Sequence, residues 1–232
     1  MKNLYAQLEN IDEIIVAFSR AVEARDAYTR GHSERVGKYS IKLAAALGFD
    51  TDYQMMLFKG AILHDIGKIG VRDSVLLKKG KLDKEEYDEI KTHPAIGLKI
   101  CSHLKSSQHL LNIIAYHHER MDGHGYPFRL FGEEIPIEAR IAAIADTFAA
   151  LTSARPYRDA LTTIAACHII EESMGSHFDE DFVPVFIEAA LRGELREVVE
   201  DAQMSLSSFT KKQVIPHDLI QGLDFLDTDL LT

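Results

Sequence analysis

The sequence predicts an all-α fold, and three observations carry that expectation. Apolar residues recur at three- and four-residue steps through most of the chain, convincing alternating strand segments are missing, and helix punctuation falls where the apolar runs start and stop.

In chain order, Leu4, Leu8, Ile11, Ile15, Phe18 and Val22 share one face of a first helix. Further helical patterns cover about 32–47, 52–66, 83–91, 94–104, 107–118, 137–153, 161–173 and 179–191. Gly48 closes one helix, Asp83 and Asp179 look like N-caps, and Pro94 suits a first helical turn just after His93. The Gly- and Pro-rich stretch from Met121 to Ile137 is the longest non-helical segment, and a functional loop is the default expectation there. From about Arg196 the caps and the period fade, through SLSSFTKK to GLDFLDTDLLT.

Composition excludes several classes. With 232 residues, 46% of them hydrophobic, the chain suits one domain with short extensions. A formal charge of -10 argues against a nucleic acid polymer as partner, which needs a basic face. An anionic substrate must then be met by a local positive site. Cys101 and Cys167 sit in helical apolar stretches without paired spacing, as reduced core residues would. The amino terminus lacks a signal-peptide pattern and no 18-residue apolar run exists, so a cytoplasmic protein without membrane association is expected.

The chemistry-bearing residues are histidines and aspartates. His64 and Asp65 are adjacent in LHDIGKIG, His32 lies upstream, and His93, the pair His117-His118 and Asp146 follow at wide spacings. Neutral imidazoles and carboxylates with no thiolate nearby suit divalent first-row metals such as iron, manganese or zinc. Metal-assisted hydrolysis is the chemistry that follows. Asp65 is the natural bridge between two ions, because a carboxylate has two oxygens where an imidazole offers one lone pair.

These motifs come in a definite order: YTRGHSERV (Tyr28 to Val36), HDIGKIG (His64 to Gly70), KTHP around His93, HHERMDGHGYP (His117 to Pro127) and ADTFAALTSARPYR (Ala145 to Arg158). Together they resemble the HD-GYP family of bacterial cyclic di-GMP phosphodiesterases, over roughly residues 12 to 195. The resemblance implies an HD-domain helical bundle with a GYP loop after the histidine pair. Residues 1–11 are then the start of the first helix, 12–195 the catalytic domain and 196–232 a tail of undecided structure.

The resemblance further implies two divalent ions per chain, iron or manganese by preference. His32, His64, Asp65 and Asp146 would surround one, while His93, His117 and His118 complete the other and share Asp65. A hydroxide between the two ions would attack phosphorus, opening cyclic di-GMP to pGpG with GMP as the further product. Lys68 takes a catalytic and phosphate-binding role, Arg155 and Arg158 offer guanidinium forks to phosphate, and Tyr126 stacks on guanine or bonds to the substrate. His124 occupies a slot without a family role, and His103, His109, His168, His177 and His217 match no ligand motif.

Departures from the family pattern matter as well. Members with three metals carry a glutamate four residues before the first histidine, and here that position is Tyr28. A phenol is a poor ligand for a hard cation at neutral pH, so a dinuclear site is expected. Ala149 replaces a frequent aspartate and Met121 a frequent aromatic. Two other functions stay open: hydrolysis of another cyclic dinucleotide or nucleotide, such as cyclic GMP-AMP, and a low-turnover module that binds cyclic di-GMP or a GGDEF-domain protein. A homodimer is open too.

Overall fold

Side-chain caps and apolar faces divide the chain into helices, seen in a computed structural model that describes residues 13–25, 31–103, 108–154, 159–196 and 198–199. The helices are α1 (Glu13–Glu23), α2 (His32–Ala46), α3 (Thr51–Leu63), α4 (Asp73–Leu76), α5 (Lys84–Ile90), α6 (His93–Cys101), α7 (Gln108–Tyr116), α8 (Ile137–Leu151), α9 (Thr163–Glu172) and α10 (Phe182–Leu191). Short 3-10 turns span Ile66–Gly70 and Gly132–Glu134. Among the described residues there is no strand, only two isolated bridges, Asp122 with Phe131 and Met174 with Phe178.

Local chemistry explains most boundaries. The Asp83 carboxylate accepts from Glu86 N at 2.9 Å, and Glu86 returns a bond to Asp83 N at 2.8 Å, a complete capping box for α5. Asp50 caps α3 through Tyr53 N at 2.8 Å, and Gly48 takes a φ of 87° just past α2. Asp179 behaves differently from a simple N-cap: it accepts from Asp181 N at 2.9 Å, caps the turn ahead of α10 and binds Arg140 at 2.6 Å. That turn delays the helix to Phe182. α3 likewise stops at Leu63, short of the expected 66, and α7 stops at Tyr116, ahead of the histidine pair.

α8 forms the centre of the bundle. Its sequence is apolar on nearly every side, and Ile141, Ile144, Phe148 and Leu151 are fully buried. Phe148 meets Tyr39 of α2 edge-on at 5.0 Å and Phe186 of α10 at 5.1 Å. Burying each such side chain contributes about 1.5–3 kcal/mol. Leu195, Val198 and Val199 join the same core, so packing runs into the start of the expected tail. Cys101 and Cys167 are buried and free. A second cluster of Val22, Leu63, Ile66, Cys101, Leu110 and Ile114 lies between α1, α3, α6 and α7. Phe18 is 57% exposed despite its place in the apolar stripe, because Ile15, Val16, Ser19 and Val22 make the inward contact.

α1 also brackets two elements that matter later. Glu23 accepts from Gly31 N at 2.8 Å and Ser33 N at 3.0 Å, fixing the start of α2. Arg25 donates to Lys68 O and Val71 O, both at 2.8 Å, and so holds the first 3-10 turn. That turn packs onto α6 backbone to backbone. A Cβ on Gly67 would overlap the His93 carbonyl oxygen and Gly97 N, neither of which can give way.

Gly67→Ala is therefore expected to lower stability by about 3 kcal/mol or more, as overpacking against backbone does. Gly80, where a Cβ meets nothing within 4 Å, is the control, and Gly80→Ala should stay within about 0.5 kcal/mol in the same denaturant titration. Equal effects at the two glycines would refute the close-packing account.

Candidate metal centre

The site is assembled at helix ends. His32 opens α2, His64 follows the last residue of α3, His93 opens α6, and His117-His118 follow the last residue of α7; Asp146 lies within α8. A helix leaves its final carbonyls without intrahelical partners. Three of the imidazoles bond to carbonyls near such ends. His64 Nδ1 donates to Ala61 O at 2.6 Å, His93 Nδ1 to Ile90 O at 2.8 Å and His117 Nδ1 to Ile113 O at 3.0 Å, at the ends of α3, α5 and α7.

Since a carbonyl only accepts, each of these Nδ1 atoms carries a proton and each Nε2 faces the site, with a lone pair in the neutral imidazoles of His93 and His117. The His93 and His117 Nε2 atoms stand 3.3 Å apart. Two lone pairs at that distance do not bond to each other. His64 Nε2 and Asp65 Oδ1 are fully buried and make no hydrogen bond. Buried acceptors pointed at one another need an electrophile between them, and a divalent cation fits that need.

Asp65 stands at the junction. Its Oδ2 is 3.3 Å from His64 Nε2 and 2.7 Å from Lys68 Nζ, while its Oδ1 is 3.3 Å from His93 Nε2. Two groups of ligand atoms gather within 4.8 Å: Asp65 with His93, His117 and His118, and Asp65 with His32 and His64. Asp146 Oδ1 lies 2.9 Å from His32 Nε2. All seven residues expected as ligands thus lie in one neighbourhood.

The histidine pair shares it because α7 has ended. Adjacent residues inside a helix diverge by about 100°, but past Tyr116 the chain turns, and the two rings stand 4.2 Å apart at 45°. The Tyr126 ring stacks on His118 at 4.7 Å and 21°, and Tyr126 N donates to His118 O at 3.1 Å. Gly123 takes a φ of 75°, whereas Gly125 is needed for space: a Cβ there would strike the Glu119 and Arg120 backbone. Lys68 reaches the site from the 3-10 turn rather than from a continued α3.

Charge follows burial. Burial lowers the pKa of His32, His93, His117 and His118, to about 4 for His93 and about 3 for His117. It acts the same way on His64, but the Asp65 charge beside it outweighs burial and pushes His64 to about 9. Burial opposes the ionised forms of Asp65 and Asp146 as well. Lys68 and His64 nevertheless hold the Asp65 carboxyl well below the usual range, and the His32 bond does so for Asp146.

Arg155, Arg158 and Tyr28 lie outside the described residues. His124 is exposed, and His109 pairs with buried Glu138, so neither joins the centre. Sequence reasoning missed Glu119, buried at 3% exposure, which accepts from Phe128 N at 2.7 Å and Leu130 N at 3.0 Å. Its signal was only its place directly after the histidine pair.

A family model described as HD domain matches residues 17–182. The cyclic di-GMP phosphodiesterase response regulator RpfG of Xanthomonas campestris is 40% identical over 200 residues, covering 83% of this chain and 51% of RpfG. The 3'3'-cGAMP-specific phosphodiesterase 3 of Vibrio cholerae is 39% identical over 168 residues, covering 72% of this chain and 36% of that protein. The chain thus spans about half or less of these relatives. Bd1817, an HDG"Y"P protein from Bdellovibrio bacteriovorus, superposes with a TM-score of 0.54 at 23% identity, over 68% of this chain and 50% of that one, a likeness in fold. HD-domain phosphohydrolases work with divalent metals, and the buried His and Asp cluster can bind them. The chain belongs to the HD-domain family, in its HD-GYP branch.

Proposed function

We propose that the chain is a metal-dependent phosphodiesterase that opens cyclic di-GMP to linear pGpG, with GMP as the further product. The observation that carries the reading is the pair of ligand groups sharing Asp65, with buried acceptor atoms aimed between them. The relatives named for cyclic di-GMP and for cGAMP support a cyclic dinucleotide as substrate.

In this reading His32, His64, Asp65 and Asp146 hold one divalent ion, and Asp65, His93, His117 and His118 hold a second, iron or manganese in preference. Such ions, when bound, acidify water and neutralise phosphate oxygens. The chain's own residues supply the rest. The carbonyls of Ala61, Ile90 and Ile113 hold the Nδ1–H groups of three histidines, and so their ring orientations, before any ligand arrives. Lys68, paired with Asp65 and still partly exposed, offers a cation to a phosphate oxygen. Tyr126 offers a ring to a base, and Arg155 and Arg158 complete the phosphate contacts. The buried ligand set also dries the nucleophile's surroundings, which strengthens each charge interaction there. A GGDEF-domain partner, a second copy of the chain and a cytoplasmic location belong to the same reading. No helix among the described residues is long and apolar enough to cross a membrane.

Asp65→Ala should abolish turnover and lower bound metal, read by product chromatography on cyclic di-GMP and cyclic GMP-AMP with elemental analysis of the same sample. Full activity after metal readdition would sink the mechanism. Preference for cyclic GMP-AMP would keep it and change the substrate. Lys68→Ala and Tyr126→Ala should weaken substrate binding or turnover with metal content near wild type.

Metal count is a separate test. With Tyr28 in place of a glutamate, two ions per chain are expected in anomalous density and elemental analysis. A third fully occupied peak beside His32 would refute this, and a Tyr28→Glu chain that gains one would support its cause.

Acid sensitivity follows from the neutral imidazoles. Unfolded histidines take protons near pH 6.5, whereas folded His93 and His117 do so near 4 and 3. Between those limits the unfolded state binds more protons, so stability rises with pH and is lost as pH falls from 6.5 toward 4. The lowered carboxyls of Asp65 and Asp146 work in the same direction below that range. His64 works against it, since its stabilisation is present below 6.5 and lost as pH rises toward 9. The Tm of the metal-free chain should fall by about 5 °C or more between pH 7 and pH 5, and added Mn2+ should raise it more at pH 7 than at pH 5. A flat profile would contradict the buried neutral set.

A further inference from the structure

Glu119 is a buried carboxylate beside the metal centre that joins neither ligand group. Its two oxygens both accept from the backbone of the loop that carries Tyr126. Phe128 N donates to Oε1 at 2.7 Å and Leu130 N to Oε2 at 3.0 Å, with Arg129 between them. Arg129 has a φ of 56°, the one non-glycine in the left-handed region among the described residues. A left-handed residue between two others turns successive N–H groups toward a common point, a concavity that takes an anion. Here the anion is a side chain of the same protein.

The attachment is close on every side. Gly125 presses against the Glu119 backbone where a Cβ would not fit. Tyr126 N reaches His118 O at 3.1 Å, and the Tyr126 ring lies on His118 at 4.7 Å. The far side of the loop is fastened elsewhere: Asp122 N donates to Ser176 O at 2.9 Å and Met121 N to His177 O at 3.3 Å. Between Pro127 and Phe131, Glu119 supplies the side-chain acceptor for the loop backbone.

We propose that Glu119 is a positioning residue that holds the Tyr126 loop over His118, and that substrate engagement, rather than metal retention, depends on it. The proposal rests on the reading of the centre as a cyclic dinucleotide site, but its physical core does not. Glu119→Gln keeps the shape and volume while turning an amide donor toward a backbone N–H, so at least one of the loop bonds fails.

The test uses the full chain with metal loaded, read three ways. Hydrogen exchange should be about tenfold faster for the amides of Phe128 to Leu130 in Glu119→Gln, while metal per chain stays at the wild-type value. The KM for cyclic di-GMP should rise about tenfold with a smaller change in kcat, because the loop contacts substrate and the metals do not move. Arg129→Gly, which retains the N–H and accepts positive φ, should match wild type in exchange and KM.

Loss of metal in Glu119→Gln in step with activity would make the residue a support of the histidine pair and overturn the proposal. Wild-type exchange and wild-type KM in that variant would do the same. A raised KM in Arg129→Gly would move the role from the carboxylate and backbone to the guanidinium. Should Glu119→Gln fail to fold, the wild-type chain still decides: Phe128 and Leu130 amides must exchange slowly although Phe128 is largely exposed, and fast exchange there refutes the account. If cyclic di-GMP is not turned over at all, exchange and metal content settle the loop role apart from the substrate.

Discussion

The contact on which the site depends is between two stretches of backbone, the 3-10 turn at Gly67 and the first turn of α6 at His93. Only a residue without a Cβ permits it. Because the turn must lie that close, α3 cannot run on past Leu63, and Asp65 is delivered between two helix ends instead of along a helix face. One oxygen then faces His64 and Lys68 and the other faces His93. A continued helix would have offered Asp65 to one neighbour at most. Arg25 from α1 secures the outer side of the same turn through two carbonyls, and Glu23 secures the start of α2 beside His32. Movement of α1 would therefore reach both ligand groups through hydrogen bonds already in place.

Gathering five imidazoles and two carboxylates into a buried volume is unfavourable by itself. Burial drives most of the histidines to their neutral forms and leaves acceptor atoms without donors. The rest of the fold offsets that strain through the α8 core, whose fully buried side chains owe nothing to the site. Stability and chemistry are thus carried by different layers of one bundle, with Asp146 on the helix common to both. A cation turns the unfavourable arrangement into a favourable one, since it supplies the positive charge the buried acceptors lack.

Much of this was legible in the sequence, for a physical reason. A metal site demands particular residue types, so His32, His64, Asp65, His93, His117, His118 and Asp146 stand out as a set, and the helices follow from apolar period and from caps such as Asp83. What could not be read depends on approach between distant segments. The early end of α3 comes from the Gly67 contact, the late start of α10 from Asp179 capping a turn while binding Arg140, and the exposure of Phe18 from which face of α1 finds a neighbour. Glu119 was invisible for the same reason, since its meaning lies in N–H groups nine and eleven residues later. The glycines of the loop serve two different needs: Gly123 is used for its positive φ and Gly125 for space alone.

Placing ligands at helix ends solves two problems with one arrangement. Near the ends of α3, α5 and α7 the ligand histidines bond to backbone carbonyls, and those of Ala61 and Ile113 also accept from His64 N at 3.5 Å and His117 N at 3.2 Å. Those carbonyls hold each Nδ1–H, turn each Nε2 inward and make the imidazole a better donor of electrons, because the negative end of the helix lies behind it. The end of a helix is also where the chain can turn, and this lets His117 and His118 face one region though they are neighbours in sequence. The same turn releases the chain into the Tyr126 loop, so the residues expected to hold metal and the residue expected to meet the base are separated by a single bend. Such a join transmits position well, and that is why a carboxylate placed immediately after the bend, at Glu119, has leverage over the loop without touching the centre itself.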